Sequence, residues 1–129
     1  MAGDKHVVHN KQQLMAGLKT YQRKTDVVAV PELGEGITIK VRELSAAEQA
    51  PLIAMLTETQ FGVRGATERF NILAVVKGCI NDEGERLFSD EDEDEVGQFP
   101  NEVIARVSTA VARVSGLSSK KSVEEVAKN

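Results

Sequence analysis

The chain has 129 residues, 41% of them hydrophobic, and a net charge of -4. A chain of this length buries one core rather than two, and its apolar content is that of a globular domain, not a disordered one. Four Phe, one Tyr and no Trp leave few stacking platforms for bases or sugars, and an acidic balance with no strongly basic patch in view excludes an ordinary nucleic-acid binder.

No apolar run approaches the roughly 18 residues of a membrane span, and the N-terminus lacks the apolar core of a signal peptide, so a cytosolic chain is expected. Residues 1–10 read as a flexible polar leader. His6 and His9, three apart, could share a helix face, but two imidazoles without further ligands do not make a metal site. Asn10 is placed to cap a helix from Lys11 to about Tyr21, with Leu14, Leu18 and Tyr21 on one narrow stripe. Such a helix lies on a domain rather than within it.

Thr25 to Val30 reads as a first strand, rich in valine and stopped by Pro31. Gly34 and Gly36 then permit a tight connection. In the second strand Ile37, Ile39 and Val41 alternate with Thr38, Lys40 and Arg42, and the two runs are expected to pair as an antiparallel hairpin. The stretch from Val30 to Ile37 resembles the opening strand of biotinyl and lipoyl carrier domains. That reading needs a modified lysine in a chain of many short strands, whereas helices are expected after Leu44.

Ser45 and Glu48 have the spacing of a capping box, so a helix starts there, with Leu52, Ile53, Leu56 and Thr59 turned inward. Pro51 inside it predicts a kink or a restart. Gly62 and Gly65 bracket a turn, and Thr67 to Ile80 forms a broad apolar helix with Phe70, Leu73, Ala74, Val76 and Ile80. Gly78 costs that helix about 1 kcal/mol and marks close packing. Cys79, the one cysteine, reads as a small buried hydrophobe.

Asn81 to Phe88 is an acidic glycine turn whose oxygens do not fit a calcium loop. Ser89 caps a short helix opened by six acids, Asp90 to Glu95, read as a solvated helix start. Asn101 is expected to cap a last helix from Glu102 to Ser115, ended by Gly116. Val103, Ile104, Val107, Val111 and Val114 form its stripe. Residues 117–129 read as a mobile tail with Val123 and Val126 to bury. The fold class expected is α+β, mainly α: a short N-terminal β-hairpin followed by a small bundle of about four helices, all within residues 11–116. No nucleophile and base, no metal cluster and no phosphate-binding loop stand out, so no enzyme, cofactor or metal is expected.

Three stretches resemble the tail assembly chaperones of long-tailed bacteriophages. They are Ile39 to Glu48, a strand running into a capped helix; Val75 to Asp92, an apolar helix, acidic glycine turn, Leu-Phe pair and acidic helix start; and Val111 to Leu117 with the charged tail holding Glu124 and Glu125. The likeness spans roughly Thr38 to Asn129. It implies a protein of the host bacterial cytoplasm that binds the tape measure protein, helps recruit tail tube protein, and is absent from the finished virion. It further implies homo-oligomers, a longer frameshifted form, and no nucleic-acid or membrane partner. Val103, Val107, Val111, Val114, Leu14 and Leu18 are the candidate partner-binding residues. The competing reading is a head-to-tail joining or tail terminator protein retained in the particle.

Overall fold

In the computed structural model, which describes residues 9–117, the hairpin forms as the alternation dictates. β1 (Thr25–Ala29) and β2 (Thr38–Arg42) pair antiparallel, with Thr25 opposite Arg42 and Ala29 opposite Thr38. Their connection is a 3-10 turn, Pro31–Leu33, followed by Gly34 at φ 146 and Gly36 at φ 78, conformations that glycine adopts without a Cβ clash. Val28, Val30, Ile39 and Val41 are buried along one face. Ile37 continues that alternation but lies beyond the last strand pair and is 44% exposed. The readings made for residues 1–8 and 118–129, His6, Val123, Val126 and the mobile tail among them, lie outside the described residues.

A third strand departs from the expectation. The helix read as far as Ile80 stops at Gly78, and Cys79 turns to extended backbone at φ -82, ψ 135. Cys79–Ile80 (β3) then pairs antiparallel with Val41 and Lys40, giving the order β1-β2-β3. Two residues carry no period, so an apolar helix running straight into a buried strand reads as one continuous run.

Around the sheet, five α-helices are found among the described residues: α1 (Lys11–Thr20), α2 (Ala46–Gln60), α3 (Ala66–Gly78), α4 (Glu93–Val96) and α5 (Asn101–Val114). The architecture is α+β and mainly α. α2 opens on the expected reciprocal cap: the Ser45 amide donates to Glu48 Oε1 at 2.8 Å and the Glu48 amide to Ser45 Oγ at 3.2 Å. It runs on through Pro51 as one helix rather than restarting. Pro51 deprives only the Ala47 carbonyl of a donor, and both residues are exposed, so water replaces the bond. Leu52 and Met55 are buried, while Thr59 is exposed rather than inward. α5 begins one residue earlier than expected. Pro100, not Asn101, occupies the cap position, and its carbonyl accepts from the amides of Val103 and Ile104 at 3.0 and 3.1 Å.

α5 lies between α3 and the hairpin, and α2 packs on the other side of α3. Val103, Val107 and Val111 therefore face the sheet and α3, at 0%, 0% and 1% exposure. Each such valine contributes about 1.5–3 kcal/mol by leaving water. Gly78 sits under α5, and a Cβ built on it would stand 2.5 Å from Val111 Cγ2. Ser108, buried on the same helix, donates to Asn71 Oδ1 at 2.9 Å, a polar link that fixes the register of α5 on α3. The end of α5 also closes the joint between β2 and α2. Ser115 Oγ accepts from the Leu44 amide at 2.9 Å, and the Gln49 side chain donates to the carbonyls of Leu44 and Ser115 at 2.9 and 3.3 Å.

Arg106 ties α5 to the hairpin turn. It holds Glu32 through both oxygens at 2.9 and 2.6 Å and donates to the Ala29 carbonyl at 3.1 Å. Hydrogen bonding from Arg106 holds the Glu32 carboxyl at about 2. A carboxyl depressed on folding stabilises the fold above its unfolded value of about 4.3, and that contribution fades as pH falls towards 2. In thermal melts wild type is expected to outlast Glu32→Gln at neutral pH, the gap closing as the acid end is approached. A gap unchanged by acid would mean that the carboxylate charge is not its source.

Candidate partner-binding surface

α1 forms for local reasons. Asn10 Oδ1 accepts from the Gln13 amide and Gln13 Oε1 from the Asn10 amide, both at 2.9 Å, a capping box at its start. No residue of the helix is buried. Leu14, Met15 and Leu18 stand 65%, 48% and 61% exposed, and Tyr21 just beyond is 52% exposed. Hydrophobic residues scattered singly over a surface are ordinary, but three on one short helix with Tyr21 just beyond are a patch that water disfavours.

What holds α1 to the body is polar and lies at its C-terminal end. Tyr21 donates its hydroxyl to Glu43 Oε1 at 2.6 Å, and the same oxygen accepts the Lys24 amide at 3.0 Å. The Lys24 amide, and after it the Tyr21 hydroxyl, hold the Glu43 carboxyl below its ordinary value, while that bond raises the Tyr21 phenol. Arg23 reaches the α2 cap, with Nη1 at 2.9 Å from Glu48 Oε1, and Arg42 holds the other oxygen at 2.9 Å. Burial opposes the Glu48 charge, but the Ser45 amide, Arg42 and Arg23 outweigh it and leave the carboxyl below its usual range. Beneath Leu18 and Tyr21 a hollow of about 210 Å³ reaches Leu44 and Ala46.

Of the six candidate residues, the structure separates two groups. Leu14 and Leu18 are at the surface together. Val103, Val107 and Val111 are buried in the core, and Val114 is half-buried against it. An amphipathic stripe identifies an apolar face without saying whether the chain itself covers it. Sequence reading also passed over Phe61 and Val63, 82% and 50% exposed at the turn between α2 and α3.

A second feature lies on the outer side of the sheet. Beyond the short β3 the chain turns at Asn81 and folds back along it, the Leu87 amide donating to the Cys79 carbonyl at 3.0 Å, and an open groove of about 390 Å³ lies beside Thr38 to Lys40. Val27 and Leu87 are its exposed apolar residues, and Lys40 and Asp82 also line it. From Asp82 to Glu95 the sequence holds nine acids and one cation, Arg86. That cation is engaged: Arg86 Nη2 lies 2.9 Å from Asp90 Oδ1 and 3.0 Å from the Val76 carbonyl. Asp92 caps the Ser89 amide at 2.8 Å, as the acidic helix start requires.

Among the described residues no group of three or more His, Cys, Asp or Glu could hold a metal ion, and no helix is long and apolar enough to cross a membrane. Cys79 is fully buried and its thiol is pushed up to about 12 by burial, which leaves it a packing group. The helices that follow Leu44 rule out the many-stranded carrier domain that Val30 to Ile37 resembles.

No family model and no curated protein matches the chain. Among solved structures its fold is similar to that of the tail assembly chaperone of bacteriophage HK97, with a TM-score of 0.55 and 18% identity. The similarity covers 80% of this chain and 94% of that one.

Proposed function

We propose that this protein is a tail assembly chaperone of a long-tailed bacteriophage, acting in the host bacterial cytoplasm and binding the tape measure protein until tail tube protein is recruited around it. The fold likeness supports the general role. The observation that carries the binding mode is α1, a helix whose apolar residues Leu14, Met15 and Leu18 stand exposed on the surface. A long amphipathic helix made before its partners arrive is prone to aggregate, and an apolar surface laid along it removes that hazard. Nothing in this role calls for catalysis: the protein covers surface and is then displaced.

Coexpression with the neighbouring tape measure protein tests the reading. Wild type is expected to raise the soluble fraction of that protein several-fold. The double variant Leu14→Asp, Leu18→Asp is expected to lose most of the gain while melting like wild type, because both leucines are exposed. Equal rescue by the variant would remove α1 from the interface, and no rescue by wild type would remove the proposal. Mass spectrometry of purified virions separates the chaperone, expected to be absent, from a head-to-tail joining or terminator protein, expected at several copies.

A further inference from the structure

The sheet has two edges that a further strand could reach, and they are not alike. Along β3 the returning chain already lies alongside, with Arg86 bridged to Ile80 and the Leu87 amide on the Cys79 carbonyl. β1 is the other edge, and among the described residues no strand lies beyond it. Its pairing with β2 decides which of its backbone groups are left over. The Glu43 amide donates to the Lys24 carbonyl at 2.7 Å and the Val30 amide to the Ile37 carbonyl at 3.0 Å, so Lys24 and Val30 both stand at hydrogen-bonded pairs. Such pairs alternate in an antiparallel ladder, and Thr25, Val27 and Ala29 therefore turn their amides and carbonyls outward. All three residues are exposed, and a row of this kind is a template for another strand.

Two of these outward groups are already taken, by side chains. Asp26 Oδ1 accepts the Val27 amide at 2.8 Å, and Arg106 Nη1 donates to the Ala29 carbonyl at 3.1 Å. Each side chain is itself pinned: Arg113 Nη1 holds Asp26 Oδ2 at 2.9 Å, and Glu32 holds Arg106. The geometry of helix and strand explains how α5 serves both positions. Arg106 and Arg113 are about two turns apart, a rise of about 10 Å along α5, and three strand residues separate Asp26 from Ala29 by about 10 Å as well. α5 thus runs antiparallel beside β1 and brings one arginine to each blocked position. We infer that Asp26 and Arg106 close the β1 edge to strand addition, and that without them this edge pairs antiparallel with β1 of a second copy, a contact that the wild type does not make. The polar side of α5 is in this reading a cover for the sheet, as its valine side is for the core.

Amide hydrogen exchange on the full chain, read residue by residue by NMR, tests this edge apart from association through any other surface. In wild type the outward Ala29 amide is expected to exchange fast at every protein concentration. In Asp26→Ala with Arg106→Ala it is expected to be slowed about tenfold or more as concentration rises, because a partner strand now takes it. Asp26→Ala alone keeps the Arg106 clasp and every core contact of α5, so it folds and is expected to show the same protection at higher concentration. Adding Val27→Pro to the double variant removes an outward donor without touching the ladder to β2, and is expected to restore fast exchange at Ala29. Glu32→Gln weakens the fold but leaves both blocking side chains in place, and is expected to exchange like wild type at Ala29. Protection of Ala29 in wild type, or fast exchange in both the double variant and Asp26→Ala, overturns the inference. So does protection that survives Val27→Pro, or equal protection in Glu32→Gln, since either would trace the association to lost stability rather than to an opened edge.

Discussion

Aspartate in place of Val107 is expected to abolish folding. Val107 is 0% exposed on α5, within the core that joins the sheet to α3. The substitution removes about 1.5–3 kcal/mol of apolar burial. It also strands a carboxylate with no cation beside it, which costs several kcal/mol more even when the group takes up a proton. Together these approach the 5–15 kcal/mol by which domains of this kind are typically stable. Val107→Asp should collect in the insoluble fraction and give no cooperative melt by circular dichroism. Leu18→Asp, chemically the same change at 61% exposure, should melt like wild type. Two similar melting curves would contradict the placement of α5 inside and α1 outside.

Alanine at Gly78 is expected to be the second most damaging of these changes, although it adds one methyl group. Alanine normally favours a helix over glycine by about 1 kcal/mol. Here its Cβ would stand 2.5 Å from Val111 Cγ2 and 2.8 Å from Cγ1. The valine is branched at Cβ and buried, so it cannot swing aside, and α3 and α5 must separate instead. Overpacking of this kind costs typically about 1–3 kcal/mol, or roughly 10 °C in melting temperature for a domain of about this size. The clash identifies its own remedy. Val111→Ala alone leaves a cavity, but combined with Gly78→Ala it vacates the volume that the new methyl requires. The double variant is expected to melt well above the sum of the two single losses, and simple additivity would show that the two positions do not touch.

These two variants mark where the sequence was legible. Alternation and caps are local physics, so the hairpin, the Ser45–Glu48 box and the Asn10 cap could be read before any contact was known. Gly78 was legible as a close approach because a glycine in an apolar helix needs a reason. Its partner, Val111, was not, because the contact joins two helices far apart in the chain. β3 stayed hidden for a related reason: two residues carry no period, and only pairing with Lys40 and Val41 makes them a strand. The candidate surface divided along the same line. The stripes of α1 and α5 look alike as patterns, yet the wider one, flanked by Ile104 and Ala110, is the one the fold encloses.

The hook formed by Ser115 on Leu44 and Gln49 bears on how the protein is made. A ribosome releases the β-hairpin, α2 and α3 long before α5, so the inner face of the sheet has no cover until the last helix emerges. Until α5 is available Val28, Ile39 and Val41 stay wetted, and the core cannot close. Slow translation of α5 would lengthen the interval in which the half-built domain is open to proteases and to its neighbours.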